Sequence, residues 1–165
     1  MSTLRYYLKN TQTNTGTGGI IYDLSTDVGS TTTLSSSNLN STTFTEVIAW
    51  QQTVNNFING TSFPFSINIV STGGILENRY RLQRVNSSGV VQASSAYSST
   101  YSTPGIYTGS FTLSTTWNYG DILRVSGELR RAGGHGNVSV TLTVNDSTCY
   151  VDSTVAYKNN FLLMF

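Results

Sequence analysis

Charge is the scarcest commodity in this chain. Asp, Glu, Lys and Arg make up 10% of its 165 residues, against about 25% in an average domain. The net charge is +1, and the tightest basic groups are Arg79, Arg81 and Arg84, then Arg124, Arg130 and Arg131. A protein that neutralises a phosphate backbone needs clustered Lys and Arg, so nucleic acid is not an expected partner. The single cysteine, Cys149, allows neither an internal disulfide nor a cysteine-rich zinc site. No apolar run approaches the roughly 18 to 20 residues that span a bilayer, and no membrane partner is expected. The opening Met1-Ser2-Thr3-Leu4-Arg5 lacks the basic-then-apolar pattern of a signal peptide, which predicts synthesis in a cytoplasm.

The groups of catalysis are as sparse. The one histidine, His135, lies in Ala132-Gly133-Gly134-His135-Gly136-Asn137, a spacing that predicts a tight turn between two strands. Alone it cannot complete the two- or three-histidine clusters of most catalytic zinc sites. Nucleophilic catalysis needs a nucleophile, a base and an orienting group, and no motif supplies them. The eight carboxylates show no local pairing that proposes a glycosidase couple, and no calcium-loop spacing. Gly16 to Gly19 lacks the Gly-Lys-Ser/Thr of a phosphate loop. No enzyme, cofactor or metal site is expected.

What is present is serine and threonine in abundance, with 15 Gly, 10 Tyr and 7 Phe. Disordered chains are poor in aromatic and β-branched residues; here those residues abound and suit a pleated, half-buried surface. Val138-Ser139-Val140-Thr141-Leu142-Thr143-Val144 puts aliphatic residues on one face and hydroxyls on the other. Phe65-Ser66-Ile67-Asn68-Ile69 repeats the pattern. Further strands are predicted over 4–8, 20–24, 43–50, 78–85, 90–93, 107–113 and 122–130. Asn59-Gly60, Gly73-Gly74, Ser88-Gly89, Pro104-Gly105 and Gly133-Gly134 are turn dipeptides between them. No stretch carries a capped 3.6-residue stripe. The predicted fold is an all-β, antiparallel β-sandwich of about eight strands, jelly-roll-like and almost without helix. An immunoglobulin-like sandwich is the alternative, although its paired cysteines are missing. The Ser/Thr-rich segments 25–43 and 93–103 read as long loops, mobile in a lone domain and able to order against neighbours in an assembly.

The chain closes on Phe161-Leu162-Leu163-Met164-Phe165, five large apolar residues in succession. Left in water such a run invites aggregation, so it must be covered. It is either a last strand of the chain's own sandwich or an arm that docks on another subunit. Because 152–160 is polar and irregular, the sandwich domain is set at 1–152 and an apolar arm at 153–165. Tyr6 and Tyr7, in the aromatic first strand, are the other residues expected to meet a partner. Tyr97, Tyr101, Tyr107, Trp117 and Tyr119 lie near predicted loops, where they serve either the core and subunit interfaces or a platform for sugar rings.

Three segments carry a resemblance to a known family. They are Leu4-Arg5-Tyr6-Tyr7-Leu8 with Gly18-Gly19-Ile20-Ile21-Tyr22, the stretch 50–69 with its Asn-Gly-Thr turn, and Gly120-Asp121-Ile122-Leu123-Arg124-Val125 leading through the His135 turn into 138–144. Together they span most of residues 4 to 146, and the pattern resembles the capsid decoration (cement) proteins of tailed bacteriophages. The resemblance implies a virion protein without catalytic residues, bound to the outer surface of the major capsid protein. A homo-oligomer, a trimer, is expected, since copies on symmetry axes multiply one modest interface. The alternative is a tail-fibre domain that binds a receptor or glycan.

Overall fold

The computed structural model describes residues 2–16, 19–55, 57–58 and 60–156. Among them there is no helix. Twelve strands run in chain order: β1 (Ser2–Gly16), β2 (Gly19–Ser25), β3 (Thr32–Ser35), β4 (Thr45–Thr53), β5 (Phe57–Ile58), β6 (Ser62–Gly73), β7 (Leu76–Val85), β8 (Val91–Ser94), β9 (Gly105–Thr112), β10 (Ile122–Arg131), β11 (Ser139–Val144) and β12 (Tyr150–Ala156). Each strand expected from alternation is present. The additional ones are β3, the two-residue β5, and β12.

The ladder is continuous from β3 to β8 and folds into two halves around one core. In one half, β9 lies along β6, whose other edge is shared by β11 and then β12. β3 and the first half of β1 lie beyond these, against β11 and β12 respectively. In the other half the order is β1, β2, β4, β10, β7, β8. β1 belongs to both: its residues 2–7 pair with β12, and from Tyr7 onward it pairs with β2. All pairings are antiparallel except β2 with β4, which is parallel. The reason is the long connection between them, which crosses to the other half as β3 and returns in the original direction, as parallel neighbours require.

The core follows from the alternation. Leu123, Val125 and Leu129 of β10, Tyr80 and Leu82 of β7, and Ile48 and Trp50 of β4 are all buried from this half. Phe63, Phe65, Ile67 and Ile69 of β6 and Val140, Leu142 and Val144 of β11 face them from the other. Aromatic pairs fill the wide parts: Phe65 stacks on Phe111 at 4.2 Å, and Phe63 lies 6.1 Å from Trp117. The Trp50 indole donates to the Lys9 carbonyl at 3.0 Å, which satisfies its one polar group where water is excluded.

Two expectations are corrected here. The sandwich does not end at 152: β12 continues to Ala156. Its polar residues read as a spacer because their partners are distant in sequence. Arg5 holds the Asp152 carboxylate through two bonds of 2.8 Å, and Ser153 is buried beside the Tyr6 hydroxyl. Nor is 93–103 a free loop. It runs along the outer edge of β7, with Ser95 N–H donating to Leu82 O, Ser98 N–H to Tyr80 O, and Asn78 and Tyr101 bonding reciprocally. Ser95 and Ser98 hydroxyls also accept from the Leu82 and Tyr80 amides, so the serines finish an edge.

One glycine sets the closest packing. Gly127 faces the core from β10, and a Cβ there would lie 2.8 Å from Ile48 Cγ2 and 3.0 Å from Tyr80 Cε1. Replacing it forces β4 and β7 side chains apart in a close-packed interior. Gly127→Val is expected to cost about 3 kcal/mol, read as a lowered urea midpoint. An unchanged midpoint would show that the interior yields there.

Candidate functional site

The two arginine groups that look separate in the sequence fall largely on one surface. β7 and β10 are antiparallel neighbours, with Arg79 opposite Glu128 and Arg81 opposite Ser126, while a register shift in β4 brings Glu46 opposite Glu128. The outer face of β4, β10 and β7 therefore carries Glu46, Arg124, Glu128, Arg130, Glu77, Arg79 and Arg81. Glu128, 8% exposed, is its hub. It accepts from Arg79 Nε at 2.9 Å and from its terminal nitrogen at 2.7 Å. It also accepts from the Tyr97 hydroxyl at 2.5 Å, with Arg81 3.6 Å away. Arg79 lies between two rings, 3.6 Å from Tyr97 and 3.9 Å from Phe44. Arg124 pairs with Glu46, and Arg130 with Glu77. Burial, and then the hydrogen bond to Glu128, hold the Tyr97 phenol above its ordinary range. Arg84 and Asp121 pair at the end of the sandwich, 3.3 Å apart. The surface is a lattice of paired charges, four arginines on three carboxylates.

The other singled-out groups are mostly structural. The His135 side chain is exposed on the β10–β11 turn. Asp121 accepts from the Asn118 amide at 2.7 Å, closing the turn that leads into β10. Asp146 accepts from Thr148 and Thr31, and those bonds, the Thr148 hydroxyl first, hold its carboxyl below the ordinary range. Cys149 is fully buried, and burial pushes its thiol up to about 12. Among the described residues no group of three or more His, Cys, Asp and Glu could hold a metal ion.

The aromatic residues divide. Trp117 is a core residue, and Tyr101 and Tyr107 stack at 4.1 Å. Tyr119 is 83% exposed. Tyr6, expected at a partner contact, is buried in the core because the first half of β1 faces inward at even positions. Tyr7 is half-buried. Phe161, Leu162, Leu163, Met164 and Phe165 lie outside the described residues.

Two shallow grooves adjoin each other through Gln52 and Thr53. One, of about 270 Å³, is lined by Leu4, Tyr6, Ser25, Thr26 and Asn55 besides. The other, of about 160 Å³, adds Asp23, Gln51 and Ile122. Burial raises the Asp23 carboxyl above its ordinary range. Sequence reasoning missed these grooves: β2 and β4 are brought together by the parallel pairing, which no local pattern announces.

Glu128→Ala is expected to cost about 2 kcal/mol in chemical denaturation, because Arg79 and Arg81 lose their shared partner. Cys149 should resist iodoacetamide in the native chain at pH 8 and react once the chain is unfolded, read by mass spectrometry. With its pKa raised from 9.0 to about 12, the folded state retains the proton longer than the unfolded one. The associated stability is full below pH 9 and is lost as pH rises toward 12.

No family model matches the sequence, and no curated protein matches it. Among solved structures, two of a CocE/NonD family hydrolase from Staphylococcus aureus are similar in fold. In one, 94% of this chain aligns with 37% of the hydrolase chain at 8% identity and a TM-score of 0.56. In the other, 94% aligns with 36% at 8% identity and a TM-score of 0.55. The chain thus spans a little over a third of those proteins, and at this identity the likeness is one of fold.

Proposed function

We propose that this chain is a structural protein of a virus particle, a capsid decoration protein that binds the outer surface of the major capsid protein and acts without turnover. The observation that carries the reading is the apolar end, Phe161–Phe165, set against a sandwich whose β12 is already flanked on both edges. β1 lies on one side, and β5 and β6 on the other. On this reading the run meets a partner surface. The outer face of β4, β10 and β7 agrees with this role, since its arginines are all engaged by carboxylates and leave no cluster of free cations for a polyanion. So does the resemblance of 4–146 to the decoration proteins, which points to the virion and to a homo-oligomer.

A glycan-binding fibre domain is the second reading, favoured by the adjoining grooves. Their amides, hydroxyls and the Asp23 carboxylate offer the donors and acceptors that sugar hydroxyls use. A hydrolase role, prompted by the names of the structural neighbours, finds less support. The one histidine stands exposed on a turn, and the one thiol is buried with its pKa raised.

The test is occupancy on capsids. Full-length chain added to undecorated shells should bind in hundreds of copies and raise the temperature at which they open. Deleting Phe161–Phe165 should leave a folded domain whose occupancy falls at least tenfold. Full occupancy by the truncated chain would remove the arm from the reading, and strong signals on a glycan array with no capsid binding would favour the fibre domain.

A further inference from the structure

Sheet edges decide what a sandwich can join, because an edge strand presents unpaired N–H and C=O groups as a template for another strand. The edges here are unequal. β3 and β8 are four residues each. The second half of β1 is interrupted by two register shifts and carries Lys9. β9 is different. Its eight residues, Gly105–Thr112, pair with β6 from end to end without a register shift, and among the described residues no strand pairs with its other edge. It has no charge, no proline and no bulge, the devices by which edges are normally blunted. Two exposed apolar side chains stand beside it: Ile106, 57% exposed on β9, and Val70, 46% exposed on β6.

We infer that this edge of β9 receives the C-terminal segment Phe161–Phe165 of a second copy, added as an antiparallel strand. The inference rests on the reading of that segment as a docking arm and names its acceptor. Nine residues follow Ala156, and five of them are apolar. In a strand they alternate, so Leu162 and Met164 would cover Ile106 while Phe161, Leu163 and Phe165 extend the inner face past Tyr107.

Reach favours a neighbour over the same copy. Ala156 lies beside β5, at the end of the sheet where β9 finishes, since Ser62 is opposite Thr112. To lie outside its own β9 the arm must cross three strand spacings, about 14 Å. The link from Ala156 to Phe161 spans at most about 18 Å. Between them stand the 60–61 connection and the chain leaving β9, joined by Leu113 N–H to Thr61 O, with Trp117 packed behind on Phe63. The slack of about 4 Å does not carry the arm around them. A neighbour's arm approaches β9 from open solvent and meets no such obstacle.

Disulfide trapping tests this on purified chains, without capsids. In a Cys149→Ala background, one preparation carries Thr108→Cys and another Leu162→Cys, which share the outer face of the extended sheet, and the two are mixed under glutathione redox buffer. A disulfide between them joins two chains by construction. The expected result is a non-reducing band at twice the chain mass containing both variants, kept when Phe161–Phe165 is deleted from the Thr108→Cys preparation and absent when Leu162→Cys is replaced by Leu162→Ser in the other. The same trap with Ser110→Cys checks against a single unlucky geometry. A double variant that forms only an intrachain disulfide, or no cross-link with either β9 position, overturns the assignment. Capsid occupancy is read separately, so loss of the trap with occupancy intact rejects the β9 acceptor alone. Loss of occupancy with the trap intact rejects the capsid reading alone.

Discussion

Backbone pairing at the margins of the sheets governs this molecule. A sandwich buries its two inner faces readily, but each edge strand leaves amides and carbonyls that must find strands, side chains or water. The chain answers at most margins. β1 is long enough to serve both halves, so the sheets are continuous where they would otherwise expose two edges. β12 is inserted between β1 and the β5–β6 line, and both its sides are closed. The rim of β7 is finished by β8 and then by serines whose hydroxyls and amides bond the strand in turn. Serine-rich sequence, which from composition alone suggests a loose loop, is here the material of an edge.

A second constraint acts on the charges. In a chain so poor in them, Arg5, Arg79, Arg81, Arg84, Arg124 and Arg130 all meet carboxylates, and Glu128 takes two of them. Such pairs near a surface contribute little net stability each. A shared hub with an aromatic sleeve is more specific than a string of separate pairs, because Arg79 is held by two rings and a carboxylate at once. The result is a rigid outer face of paired charges.

The sequence speaks clearly where structure is local. Alternation marks 138–144 and 65–69, and both are strands with their aliphatic side buried. The turn at Asn86 to Gly89 is legible too: Asn86 accepts from Ser88 and Val90, and Gly89 has a φ of 82°. What is illegible is non-local. Asp152 and Ser153 look like linker residues until Arg5 and Tyr6 are found beside them, almost the whole chain away. The arginines at 79–84 and 124–131 look scattered until β7 and β10 pair. Tyr6 is read as a contact residue although it shares the parity of Leu4 and Leu8, and that period of two is the local sign that it faces the core. The β2–β4 grooves require a parallel pair that the crossover 26–44 creates, and crossovers leave no period in the sequence.

Two features of the chain are liabilities when taken singly. An uncharged edge eight residues long, without a strand partner among the described residues, invites uncontrolled strand pairing, and five apolar residues in succession invite uncontrolled burial. Evolutionary pressure against aggregation acts on both, and either could be cured by one lysine. Their coexistence in a chain that protects its other margins is economical only if each covers the other. Pairing between copies then gives a contact with fixed register from backbone bonds and a modest apolar area from side chains. Repeated around a symmetry axis on a particle surface, such a contact needs little affinity of its own, because each docked copy raises the effective concentration of the next.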